Sequence, residues 1–187
     1  AAMGELRVGL RRIQPPLSFV DAKGQLAGLS ADTLTWLSNQ TGMRARFVGA
    51  LDWPELSRRF DAGDIDLMLA VNRGSGVAEN TLSDPYFVSA LGVFTRKGDV
   101  FLGSVGDLLD RRVAVRAGGY AEDLLRNFPR ILVTPYPDTL DAARALRYGK
   151  VDFLVGETSS AIKIIEDNSL ADLHFAGSFN EAPIALR

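Results

Sequence analysis

The sequence predicts an α/β protein built as two similar lobes, and three observations carry that expectation. Strand-like and helix-like segments alternate along nearly the whole chain, which calls for parallel sheet covered by helices. The stretch Phe60-Asp61-Ala62-Gly63-Asp64-Ile65-Asp66-Leu67 is echoed by Leu146-Arg147-Tyr148-Gly149-Lys150-Val151-Asp152-Phe153 in the other half. Finally, 187 residues with 47% apolar content hold enough material for two small cores.

The elements follow in order. Residues 6–10 form a short apolar strand. Residues 30–41 read as a helix that Ser30 can cap, with Leu34 and Leu37 on one face and Gly42 closing it. Residues 44–48 alternate like a half-buried strand. Asp52 with Glu55 three residues on is a capping-box pattern. Trp53, Leu56 and Phe60 give that helix its apolar face, and Gly63 ends it. Residues 65–71 are a nearly continuous apolar run, expected of a strand buried on both faces. Residues 72–83 are a polar, glycine-containing loop, and 91–95 another strand.

The second half repeats this grammar. Ser104 and Asp107 cap a short helix, 112–115 is a strand, and Gly118-Gly119 leads into a helix from about Tyr120. Residues 131–134 are a strand. Asp138 or Thr139 caps a helix carrying Leu140, Ala143 and Leu146, which ends at Gly149. A strand (151–155), a helix (158–167) and a strand (173–176) follow, and 182–187 read as the start of one more strand with no helix after it. Each echo is thus a helix end, a glycine and a strand opening apolar-Asp-apolar, reached after a strand–helix–strand–helix run. Gly-x-Val-Asp is also a common helix-to-strand exit, so the matching order of elements carries more weight than the motif. Trp36 and Phe60 are expected in the core, and His174 in a structural role on a strand.

Composition excludes several functions. A formal net charge of -2 with scattered Lys and Arg argues against a nucleic-acid partner. With no cysteine and one histidine, disulfides, thiolate catalysis and Cys- or multi-His metal sites are ruled out. No metal, no cofactor and no catalytic residue is expected. No run approaches the roughly 18 apolar residues of a membrane span. Ala1-Ala2-Met3-Gly4 reads as a cloning remnant, and an excised, mature-like ectodomain would look the same, so the start does not reveal the compartment.

Motifs in a fixed order add a resemblance. They are Leu6-Arg7-Val8-Gly9, Pro15-Pro16-Leu17-Ser18-Phe19, Gly24-Gln25-Leu26-Ala27-Gly28-Leu29 and Trp53 with its helix. Gly63-Asp64-Ile65-Asp66-Leu67 and Ser83-Asp84-Pro85-Tyr86-Phe87 follow. Val113-Ala114-Val115-Arg116-Ala117-Gly118, Gly149-Lys150-Val151-Asp152 and Ala182-Pro183-Ile184-Ala185-Leu186-Arg187 complete the set. Each is weak alone, but together the chain resembles a type II periplasmic solute-binding domain of the amino-acid-binding class, the Venus-flytrap fold.

The resemblance implies an α/β, two-lobed periplasmic-binding-protein-like type II fold with a hinge of two crossing strands and ligand in the cleft. Lobe 1 would span 1–95 and lobe 2 96–183, with 184–187 a second hinge strand returning toward lobe 1. The first crossing would be 94–96, and the C-terminal part of lobe 1 would be missing.

Ligands of open α/β sheets sit beyond the carboxyl ends of the strands. Gln14 and Leu17 stand where the family tends to place an aromatic wall, although a Pro-Pro turn over a core Phe19 also accounts for the stretch. In the loop with Asn72, the family's carboxylate-clamping arginine would fall near Gly76 or Val77, and Arg73 is the nearby candidate. Gly118-Gly119 ahead of a helix would offer N–H groups to an anion, or be a plain tight turn. Tyr120 occupies a place where the family has a small hydroxyl residue. Glu157 stands where an aspartate often pairs with a ligand ammonium, or it belongs to the N-cap of the next helix. Trp53 either faces the cleft or staples its own helix.

These readings point to a periplasmic module binding an amino-acid-like or small carboxylate ligand. The leading role is sensory input to a transmembrane sensor histidine kinase, membrane-tethered in the full-length protein. The alternative is a free solute-binding protein of an ABC amino-acid importer. An enzyme module of the dehydratase or peptidoglycan-lyase-associated kind is remote, because Glu157 is the one cleft acid and lacks a partner. A homodimer is admitted by the sequence and not fixed by it.

Overall fold

The computed structural model describes residues 5–72, 81–101 and 103–185. The chain divides into two compact units. The first holds residues 5–71 and 81–86, the second holds Asn72 and Phe87–Pro183, and the chain re-enters the first at Ile184.

The first unit opens with β1 (Leu6–Arg11), followed by a small antiparallel meander of β2 (Ile13–Gln14), β3 (Ser18–Val20) and β4 (Leu26–Ala27). Helix α1 (Leu29–Thr41) starts one residue before the sequence expectation. Gly28 takes the cap position, so Ser30 lies inside the helix, buried. Strand β5 (Ala45–Leu51), helix α2 (Trp53–Asp61) and strand β6 (Leu67–Met68) follow. The sheet order is β5-β1-β6, all parallel. Val8, Leu10, Leu34 and Leu69 form its core.

Half of the expected capping box forms on α2. The Asp52 carboxylate accepts the Glu55 N–H at 3.0 Å, but Glu55 turns to Arg58 at 2.8 and 2.9 Å. Two expectations need correction. Trp36 is not in the core but 60% exposed on α1, because Leu34 and Ala31 take the buried face. In the run 65–71, Ile65 and residues 68–71 are buried, but the single expected strand is broken: Ala70, at φ 57, turns the backbone between Leu67–Met68 and a second short strand beginning at Val71.

The second sheet runs β10-β9-β11-β8-β12-β7. Its strands are β7 (Val71–Asn72), β8 (Phe87–Arg96), β9 (Arg112–Arg116), β10 (Leu132–Tyr136), β11 (Phe153–Glu157) and β12 (Leu173–Ala185). Helices α3 (Tyr120–Leu125), α4 (Thr139–Arg147) and α5 (Thr158–Asp167) join them. A 3-10 turn over Val105–Leu108 carries the Ser104–Asp107 box. β9, β10 and β11 are parallel, and β8 is antiparallel to β11.

Alternate residues of β9 and β11 serve two cores, as the period of two requires. Ala114 and Leu154 pack with Ala142, Leu146 and Ile165, whereas Val113, Val115, Phe153 and Val155 pack with Leu108 and Leu125. All of β8 belongs to the second unit, so the chain leaves the first at Tyr86, ahead of the 95/96 boundary read from the sequence.

The sequence echo is reproduced bond for bond. Gly63 (φ 77) and Gly149 (φ 70) adopt the left-handed conformation that ends a helix. Gly63 N–H donates to Phe60 O and Asp64 N–H to Arg59 O; Gly149 and Lys150 repeat this with Leu146 O and Ala145 O. The aspartate of each echo then clasps an arginine on a strand of its own unit, β1 in the first and β9 in the second. Asp66 accepts from the Arg7 N–H (2.8 Å), Nε (2.9 Å) and Nη2 (2.7 Å). Asp152 accepts from the Arg112 N–H (2.9 Å), Nε (3.2 Å) and Nη2 (2.7 Å). These bidentate pairs hold both carboxyls below the usual carboxylate range, the guanidinium hydrogen bond being the largest cause in each.

Candidate functional site

In the first unit the polar groups gather at the carboxyl end of β1. Arg11 is buried, and its guanidinium lies 4.1 Å over the ring of Trp53, the first residue of α2. Trp53 therefore packs on the strand end, where a cation over an indole face is held by the ring quadrupole. Gln14 and Ser18 sit directly opposite in the β2–β3 pair, at 5% and 0% exposure. Their Oε1 and Oγ atoms have no hydrogen-bond partner among the described residues. Leu17 is fully buried.

Tyr86 was not singled out by sequence reasoning. Its hydroxyl meets Ser30 Oγ at 2.8 Å and accepts the Ala70 N–H at 3.1 Å. It thereby ties α1 to the turn at Ala70, and burial pushes its own ionisation upward. The signal available was Tyr86 within the Ser83–Phe87 motif, but nothing in the sequence named its partners. The backbone of Asn72 lies in β7. Arg73 lies outside the described residues.

In the second unit the expected Gly118-Gly119 turn is present, but its amides are engaged within the unit. Gly118 N–H donates to Glu122 Oε2 at 2.7 Å, and Gly119 N–H to the Arg116 carbonyl at 3.2 Å. Glu122, 6% exposed, also accepts from Arg126 at 2.6 Å. The turn carries its own carboxylate, supplied from one turn into α3. Tyr120 packs against the core around Leu91, Val93 and Val115.

Glu157 ends β11 and caps α5. Its carboxylate accepts the Ser159 N–H (3.2 Å), the Ser160 N–H (2.8 Å) and the Ser159 hydroxyl (2.7 Å). Ser89 Oγ of β8 donates to it as well. Thr158 Oγ1 donates to Ala90 O at 2.7 Å and fixes the same corner. The N-cap reading of Glu157 accounts for these bonds. His174 Nε2 meets Thr95 Oγ1 at 3.2 Å. Among the described residues, no group of three His, Cys, Asp or Glu could hold a metal ion. No helix there is long and apolar enough to cross a membrane.

The arrangement offers hydrogen-bonding groups and cations at strand ends. Comparison with known proteins adds the family. The sequence pattern of the bacterial extracellular solute-binding proteins, family 3, matches residues 6–174. The chain belongs to this family. It is 27% identical over 190 aligned residues to the L-cystine-binding protein TcyJ of Escherichia coli (strain K12), covering 98% of this chain and 71% of that protein. Among solved structures, a histidine kinase sensor domain with similarity to periplasmic binding proteins superposes with TM-score 0.87 at 22% identity, covering 97% of this chain and 80% of that one. The Bordetella pertussis BvgS VFT2 domain, as a double mutant, gives TM-score 0.84 at 24% identity, over 97% of this chain and 79% of that one. These likenesses show the type II periplasmic-binding-protein fold. Membership places the chain among extracellular solute-binding domains.

Proposed function

We propose that this family 3 domain is the sensory input module of a transmembrane sensor histidine kinase and takes a small amino-acid-like or carboxylate ligand. The observation that carries the sensor reading is self-engagement of the candidate contacts in the second unit. Glu122 fills the Gly118 turn, and three serines surround Glu157. A Glu157 carboxylate bonded this way has less capacity left for a ligand ammonium, which departs from the pattern expected of an amino-acid carrier. The fold likeness to a histidine kinase sensor domain supports the same direction. In such a receptor, a ligand acts by binding one conformational state better than another and shifting their populations.

The second reading is a solute-binding protein of an ABC importer, favoured by the relationship to the cystine-binding protein. The deciding experiment is autophosphorylation of the full-length protein in lipid bilayers with and without the twenty L-amino acids. A ligand-dependent rate supports the sensor. A full-length product without kinase sequence that drives substrate uptake instead supports the importer.

A further inference from the structure

We infer that Arg116 is the anion contact of the second unit, its guanidinium receiving a carboxylate of the ligand. The inference rests on the ligand-binding reading above and names the charge that the ligand must carry.

Arg116 is the last residue of β9, at the carboxyl end of a parallel strand, where open α/β sheets bind their ligands. The residue is half-buried. Among the described residues its guanidinium makes no ion pair and no hydrogen bond. The contrast with other arginines of the fold is direct: Arg7, Arg96, Arg112 and Arg126 each meet an acid within 3.2 Å. Arg116 also lies along the glycine turn, since a side chain at 119 would start 2.9 Å from its carbonyl oxygen and 3.2 Å from its Nη2. Gly119 leaves room for the guanidinium to rest there.

Glu122 is the acid whose charge reaches Arg116, but its carboxylate is committed to the Gly118 amide and to Arg126. Desolvation pushes Arg116 down to about 10, opposed by Glu122, so the group stays cationic at neutral pH while losing hydration. A cation in that state gains most from an anion, and its planar fork matches two carboxylate oxygens.

The test is calorimetric titration of the full chain with the free L-amino acids, acetate and succinate, and with the methyl ester of each compound that binds. The same titrations are run on Arg116→Met and Arg116→Lys. The expected result is an acid-over-ester preference of about ten- to a hundredfold in the parent, from a charged hydrogen-bonded contact. That preference disappears in Arg116→Met and is partly kept in Arg116→Lys. Without ligand, Arg116→Met unfolds at the parent midpoint or above it, a result that a merely structural arginine would not give. If Arg116→Met keeps the preference within about twofold, or the parent takes ester and acid alike, the inference fails and the binding reading stands. If no compound binds the parent, both fail.

Discussion

The two units of this chain share one framework and differ in how they treat the polar groups at their strand ends. In both, a helix ends at a left-handed glycine, and an aspartate three residues later clasps an arginine on a strand of the same unit with three hydrogen bonds. In the first unit, Gln14 and Ser18 are then left with buried oxygens that no described residue satisfies. In the second, Glu122 and Glu157 are wrapped by amides, hydroxyls and an arginine. The clasps and glycines hold the framework, which repeats. The polar groups at the strand ends do not repeat, and there the units diverge. An unpartnered buried oxygen is a standing cost that a ligand or a bound water can relieve, whereas a satisfied carboxylate must give up a bond to accept one.

The largest effects are expected in the cores. Leu10→Ala in the first unit and Leu154→Ala in the second each remove a fully buried side chain and are expected to cost about 3 kcal/mol. Urea unfolding reads both, and similar losses show that the two sheets are equally well packed. Next in size is Glu122→Gln, which strips the charge from the Gly118 turn and from Arg126. A loss of about 2 kcal/mol is expected, against no loss if the turn stands without its carboxylate.

A change of sign sharpens the contrast further. Ser18→Ala removes an unsatisfied hydroxyl and should stabilise the ligand-free protein by about 1 kcal/mol, whereas Ser89→Ala unties Glu157 and should destabilise it by a similar amount. Equal signs would erase the distinction between the units.

The smallest effect is expected at the clasps, whose ion pairs are part-exposed, and it is largest at neutral pH and fades in acid. Asp66 and Asp152 have folded-state values depressed by their arginines, so their contribution is present above the unfolded value of about 4 and lost as pH falls through the folded values. Urea midpoints measured from neutral pH to pH 2 should therefore fall below about pH 4. The double variant Asp66→Asn, Asp152→Asn should show a shallower fall, and an unchanged slope would show that the clasps do not govern acid sensitivity.

Much of the framework was legible because it is local. The helix Thr158–Asp167 falls at its expected bounds, and the Gly63 and Gly149 exits follow from glycine at a helix end. Burial was legible less often: Trp36 reads as core by its chemistry, but Ala31 and Leu34 claim the inner face of α1. At the candidate site the sequence located the turns and Glu157 but not their occupants. Glu122 closes on Gly118 from one helical turn away, and Ser89 reaches Glu157 across 68 residues. Tyr86 spans 56 residues to Ser30. Such pairings depend on strand register and helix facing, which residue types alone do not specify.

Ligand binding by this domain is read by the thermal unfolding midpoint of the chain against the twenty L-amino acids and a set of small carboxylates. A domain that binds such a ligand only when folded gains about 2.7 kcal/mol at a hundredfold excess over Kd. The expected result is a saturable rise in midpoint for at least one carboxylate-bearing compound. A midpoint unmoved by every member of the set would contradict the central claim that this family 3 domain binds a small amino-acid-like or carboxylate ligand.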